Sequence, residues 1–283
     1  MDIKKVGVIG CGQMGGGIVQ TCAQAGFDVI VTEVNEFLLE KGLNTIKLNL
    51  SRNVEKGRLS KDEMEAIISR IHGTTTMSDF SERDLVVEAV IENMDMKKNL
   101  FGQLDKICPS NTILATNTSC LSIIDMAMVT KRPDKVLGIH FFNPVPVMKL
   151  VEVVKTIATS AETVAAGKQF GEKCGKKVVI AQDSPGFIVN RLVIPFILNA
   201  IRMMDAGIAT KEDIDAGVNL GLNHPMGPLA LADLIGLDTV LFIANATYSE
   251  LKDPQFTSPP LLNKMVTAGW LGRKTGKGFY DYK

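Results

Sequence analysis

The sequence lacks net charge: 31 Lys and Arg balance 31 Asp and Glu. A neutral chain offers no broad field to hold nucleic acid or an anionic membrane surface, so neither partner is expected. Long apolar runs are missing too. No stretch is uninterrupted enough to span a bilayer, and no signal peptide precedes the first strand-like run. Cysteine is sparse. Cys11, Cys22, Cys108, Cys120 and Cys174 are odd in number, scattered and without a CxxC pair. That argues against a disulfide framework or a metal site and fits a reducing, cytoplasmic setting. Hydrophobic content of 46% in 283 residues still supplies a sizeable core for one large or two medium domains.

What is present is concentrated at the start. An apolar run, Val6-Gly7-Val8-Ile9, enters Gly10-Cys11-Gly12-Gln13-Met14-Gly15, and an amphipathic helical pattern follows. Gly10 permits a tight turn, Gly12 lets backbone approach a pyrophosphate, and Gly15 allows close helix–strand packing. The helix start presents N–H groups and its positive dipole end to phosphates. A second apolar run, 28–32, ends on Glu33, at the spacing of a carboxylate that grips an adenosine ribose. Ordinary structural glycines are the plain alternative.

Further along, Leu39, Leu43, Ile46, Leu50 and Val54 keep helical spacing. Ser60-x-x-Glu63 reads as a capping box opening a second helix that contains Met64, Ile67, Ile68 and Ile71. Between them Lys47, Ser51, Arg52, Lys56 and Arg58 form a locally basic surface. Strand-like runs then end on Glu88, on Thr116-Asn117-Thr118-Ser119 and on His140-Phe141-Phe142-Asn143, with two more at 149–154 and 178–180. Strands alternating with helices predict an α/β fold, a Rossmann-type, mostly parallel sheet whose ligands lie beyond the carboxyl ends of the strands. After 183–186 the pattern turns helical. The segment 187–204 is apolar on nearly every side and is expected to be buried all round, with Pro195 kinking or interrupting it. The expected division is a nucleotide domain at 1–185 and an all-helical domain at 186–283.

His140 is the histidine at a strand end. Glu152 sits twelve residues on, between Val151 and Val153, where an unpaired charge would be costly. Neighbouring strands would set the two side by side, the arrangement a general base needs. A buried His bonded to a carbonyl is the plainer reading. Ser119 caps a helix or serves the site; Asn190 makes a core hydrogen bond or serves the site. Cys120 reads as packing, and His72 and His224 as structural or surface residues.

On Gly-x-Gly-x-x-Gly at 10–15, Asn117-Thr118-Ser119, His140-Phe-Phe-Asn-Pro, Asp183-x-Pro-Gly-Phe-x-x-Asn190-Arg191, His224-Pro-Met-Gly-Pro and Lys274-Thr-Gly-Lys-Gly-Phe-Tyr, the chain resembles the short-chain 3-hydroxyacyl-CoA dehydrogenases over essentially its whole length. The resemblance implies His140 as catalytic base, Glu152 as its partner, and Ser119 and Asn190 as polar groups around the substrate oxygen. It implies dinucleotide contacts from Glu92, Lys97, Asn117, Ser119, Asn143 and Lys274, beside those of the glycine loop and Glu33. It implies acetoacetyl-CoA and 3-hydroxybutyryl-CoA as substrates, with CoA phosphates near Ser51 and Lys56, and a homodimer formed through the helical domain. Glu33 favours NAD, although some relatives use NADP. Two rivals stay open: a β-hydroxyacid dehydrogenase acting on free acids through a lysine, and a non-catalytic NAD-binding protein.

Overall fold

The computed structural model describes residues 2–282. The chain divides into two compact units, the first ending at Asp183 and the second beginning at Ser184.

In the first unit β1 (Lys5–Ile9), α1 (Gln13–Gln24) and β2 (Asp28–Thr32) form the opening βαβ turn, followed by α2 (Glu36–Glu55), α3 (Lys61–Ile68) and β3 (Ile71–Thr74). Then come β4 (Leu85–Glu88), α4 (Met94–Ile107), β5 (Ile113–Thr116), α5 (Ile123–Ala127), β6 (Val136–Phe141), β7 (Leu150–Lys155), α6 (Ala161–Lys173) and β8 (Lys177–Gln182). The sheet order is β3-β2-β1-β4-β5-β6-β7-β8, parallel except where β6 meets β7. The chain reverses its direction of growth between β1 and β4, which opens a crevice at their carboxyl ends. Val6, Val8, Val29, Val31, Leu85, Val87, Leu137, Ile139, Val151 and Val153 build the core, with α1 laid on it through Ile18, Val19 and Cys22.

In this unit one element differs from the sequence expectation. Ile71 leaves the second helix, which stops at Ile68, and opens β3. This edge strand pairs with β2 alone and carries exposed His72 and Gly73, so its sequence has too little apolar alternation to announce it.

The second unit holds α7 (Val189–Asp205), α8 (Lys211–Gly221), α9 (Pro228–Ile235), α10 (Leu237–Leu251) and α11 (Pro260–Thr267). Phe187, expected in the helix, precedes it with φ of 46°. Burial all round is corrected: Ile194, Pro195, Ile197, Leu198, Ala200 and Ile201 face inward, whereas Leu192 is 70% exposed. The helix also runs on through Pro195 without interruption, because the buried stripe on either side offsets the missing N–H bond. Asp215 accepts from the N–H groups of Leu229 and Ala230 and the Tyr280 hydroxyl, and Asp233 from the N–H groups of Phe279 and Tyr280 and the Tyr282 hydroxyl. Burial, then the Asp215 bond, pushes the Tyr280 phenol above its usual range. Among the described residues no single helix is long and apolar enough to cross a membrane; α9 and α10 pass such a test only as a pair bent by 95°.

Candidate active site

The glycine loop is built as its spacing requires. Gly10 has φ of +95°, and a Cβ there would sit 2.8 Å from the Ala89 carbonyl. A Cβ on Gly15 would run into the Gly10 carbonyl oxygen, so only glycine lets α1 start so close to β1. Around Gly12 the space is open, and as N-cap of α1 it supplies no side-chain cap to the first-turn N–H groups. Beside the loop lies a cavity of about 270 Å³ bordered by Ile9, Gly10, Thr32, Glu33, Val90 and Met96, among others. An uncapped helix start and an adjoining cleft at the switch point fit a dinucleotide's phosphates and adenosine. Glu33 Oε1 accepts the Cys11 N–H at 2.7 Å and Oε2 the Val34 N–H at 3.2 Å, which fixes the carboxylate against the loop. Gln13 Nε2 donates to Asn143 Oδ1 at 3.3 Å, joining two expected cofactor residues 130 positions apart. Met14 is half-buried against the core.

On the other side of the crevice, β6 and β7 pair antiparallel with His140 directly opposite Glu152. Such partners project from the same face of the sheet. His140 Nδ1 lies 2.6 Å from Glu152 Oε2, with the histidine 6% and the glutamate 0% exposed. A charged or strongly polarised pair is the arrangement that makes a buried carboxylate tolerable. The Phe142 ring lies 4.6 Å from the imidazole, centroid to centroid. Asn117 Oδ1 accepts the Phe141 N–H at 2.9 Å, tying the end of β5 to the end of β6. Lys176 Nζ donates to the Val145 and Met148 carbonyls and secures the loop after Asn143. Burial lowers that ammonium's pKa.

Between these groups Glu92 collects donors. It accepts from the Ser119 N–H at 2.8 Å, the Ser119 hydroxyl at 3.2 Å and the Thr118 hydroxyl at 3.0 Å, and Lys97 Nζ stands 3.3 Å away. Lys97 is 1% exposed and also meets buried Glu88. Asp183 caps α5 through the Ile123 and Ile124 N–H groups, and burial pushes its carboxyl upward despite those bonds.

Four further expected residues lie on other elements. Ser51 and exposed Lys56 belong to the α2–α3 hairpin, Ser51 Oγ at 3.8 Å from Met64 Sδ. Asn190 and Lys274 belong to the second unit: Asn190 lies half-buried in the first turn of α7, and Lys274 Nζ is 2.6 Å from Asp238 Oδ2. Glu88, Thr116 and Asp238 were not singled out for the site. Glu88 had one signal, a carboxylate closing the apolar run Leu85-Val86-Val87. Among the described residues no group of three or more His, Cys, Asp or Glu is placed to hold a metal ion.

Two family models match the chain: the 3-hydroxyacyl-CoA dehydrogenase NAD-binding domain over residues 5–184 and the 3-hydroxyacyl-CoA dehydrogenase C-terminal domain over 186–282. A probable 3-hydroxybutyryl-CoA dehydrogenase of Bacillus subtilis is 50% identical over 283 residues, 100% of this chain and 99% of the relative. A 3-hydroxybutyryl-CoA dehydrogenase of Clostridioides difficile is 50% identical over 98% of this chain and 99% of its own. The crystal structure of FadB2 from M. tuberculosis superposes with a TM-score of 0.98 at 46% identity, covering 100% of both chains.

Proposed function

The chain belongs to the 3-hydroxyacyl-CoA dehydrogenase family, and from that premise we propose that it interconverts acetoacetyl-CoA and 3-hydroxybutyryl-CoA with NAD as redox partner. It is an oxidoreductase acting on a CH–OH group. The observation that carries the reading within the fold is the His140–Glu152 pair at 2.6 Å, held across two paired strands. The nicotinamide, when bound, accepts or returns the hydride; the protein's task is alignment and proton transfer. Because Nδ1 is committed to Glu152, proton exchange with the substrate oxygen runs through His140 Nε2. In oxidation His140 takes the hydroxyl proton, and in reduction it returns one to the 3-keto oxygen. Glu152 fixes the ring and offsets the imidazolium charge. Ser119, whose hydroxyl donates to Glu92, presents its oxygen lone pairs to the substrate's 3-hydroxyl. Asn190 and Lys274 join this proposal by resemblance, the first as a polar contact to substrate and the second to the dinucleotide.

The finer assignments are ours as well. Gly10, Gly12, Gln13, Met14, Gly15, Glu33, Glu92, Lys97, Asn117 and Asn143 serve the dinucleotide, with Glu33 disfavouring a 2′-phosphate. Ser51, Lys56 and their basic neighbours receive the CoA phosphates. Exposed Leu192, Leu220 and Leu222 in the second unit support a homodimer. The five cysteines, all buried, support a reducing cytoplasm.

The test is spectrophotometric. NADH should be consumed with acetoacetyl-CoA and not with free acetoacetate at equal concentration. Preference for the free acid would overturn the proposal in favour of the β-hydroxyacid reading.

A further inference from the structure

Glu88 has no part in the site assembled so far, yet it is the most enclosed charged group beside it. The side chain is 0% exposed and closes β4 directly opposite Thr116 of β5. Oε1 accepts Lys97 Nζ at 2.6 Å and the Val90 N–H at 2.7 Å; Oε2 accepts the Thr116 hydroxyl at 2.7 Å. The Glu88 carbonyl accepts the Asn117 N–H, and Thr116 Oγ1 accepts the Thr118 N–H. The segment that delivers Ser119 is therefore tied to Glu88 from beneath. From above, the same segment is tied to Glu92, whose cation Lys97 is shared with Glu88. One buried ammonium serves two carboxylates, so its position is a compromise between them. Without the Glu88 charge, Lys97 is drawn to Glu92 alone and the donors now aimed at Glu92 lose their register.

We propose that Glu88 is a positioning residue for Ser119, acting through Lys97 and Glu92 on one side and through Thr116 on the other. This rests on the proposed role of Ser119 at the substrate oxygen. Displacement by a fraction of an ångström at such a group is enough to cost on the order of tenfold in turnover, since misplacement by 1 Å costs about a hundredfold.

A double-mutant cycle tests it. Glu88→Gln, Ser119→Ala and the double variant are compared for kcat with 3-hydroxybutyryl-CoA at saturation, alongside thermal midpoints. Glu88→Gln is expected to lower kcat about tenfold, and the double variant to be no slower than Ser119→Ala, because both changes remove the same placed hydroxyl. Effects that multiply would overturn the proposal and leave Glu88 merely structural. A folded Glu88→Gln enzyme with normal kcat, beside a slow Ser119→Ala, would overturn it while sparing the Ser119 reading. A normal Ser119→Ala enzyme would overturn both. Should Glu88→Gln fail to fold, Thr116→Val enters the same cycle, removing the bond to Glu88 and the acceptor of the Thr118 N–H but no charge, with the same non-additivity expected.

Discussion

His140 and Glu152 are held together by the sheet itself: they are cross-strand partners in its antiparallel pairing, and their buried side chains meet at 2.6 Å. Two strands, rather than a loop, fix the base and its orienting carboxylate. His140→Ala is expected to lower kcat about a hundredfold or more, the span of general acid–base catalysis. NADH affinity, followed by fluorescence titration, should stay near that of the native enzyme. Glu152→Gln should slow turnover as well while leaving NADH binding intact. Undiminished turnover in His140→Ala would remove that residue from the chemistry.

Glu33 anchors the glycine loop and faces the cleft beside it. In Glu33→Ser/Val34→Arg the repelling carboxylate is gone and a cation stands nearby. The ratio of kcat/KM for NADP over NAD is expected to rise about tenfold, equivalent to roughly 1.4 kcal/mol. Loss of the bond to the Cys11 N–H should also raise KM for NAD. A native enzyme that already prefers NADPH under matched conditions would contradict this use of Glu33.

Arg52 lies in the last turn of α2 and Lys56 caps that helix, both exposed. Arg52→Glu/Lys56→Glu should raise KM for acetoacetyl-CoA and leave KM for NADH nearly unchanged, more clearly at low salt. Equal effects on both constants would mean general damage, to which reversed charge at a helix C-terminus contributes.

How much of this was legible beforehand varies with the range of the contact. The capping box at Ser60 and Glu63 is a three-residue signal, and both of its hydrogen bonds are present. The glycine loop is equally local. The His140–Glu152 pairing needed one step more, the assumption that consecutive strands are neighbours, and the register supports it. In the Glu88–Lys97–Glu92 group, Glu92 and Lys97 were legible only through the family resemblance, and the buried ion pairing of Lys97 with Glu88 was not. Its burial follows from the packing of α4 and from no feature of its neighbours in sequence. The outward face of α7 was hidden for the opposite reason: Leu192 has the same apolar character as residues that do face inward.

Burial pushes the Cys11 thiol up to about 12, with the Glu33 charge adding to the effect, and the Cys108 thiol up to about 11. Alkylation by iodoacetamide at pH 8 should therefore be slow in the folded enzyme and complete in denaturant, counted by mass spectrometry. For Cys11 and Cys108 the thiolate fraction is still climbing at pH 9, so the folded-state rate should keep rising beyond it. Rapid labelling of Cys11 at pH 8 would show the glycine loop opening far more often than this packing allows.

Leu192, Leu220 and Leu222 leave apolar surface on the second unit. Light scattering at assay concentration should return twice the chain mass, since two-fold homodimers are the commonest soluble oligomers. Leu192→Asp should shift that mass toward the monomer. A fully active monomer in the native protein would rule the dimer out.

Asp233 lies 46 and 47 positions ahead of the N–H groups it accepts, and Asp215 lies 65 ahead of its tyrosine donor. On the ribosome these carboxylates emerge long before their donors exist. Neither is exposed in the finished fold, at 1% and 6%, so the helices around them cannot close over them without cost until Phe279, Tyr280 and Tyr282 arrive. The sheet unit has no such dependence on the later chain for its own strands. The helical half therefore satisfies its two buried carboxylates only with residues 279–282, up to 65 positions further along the chain.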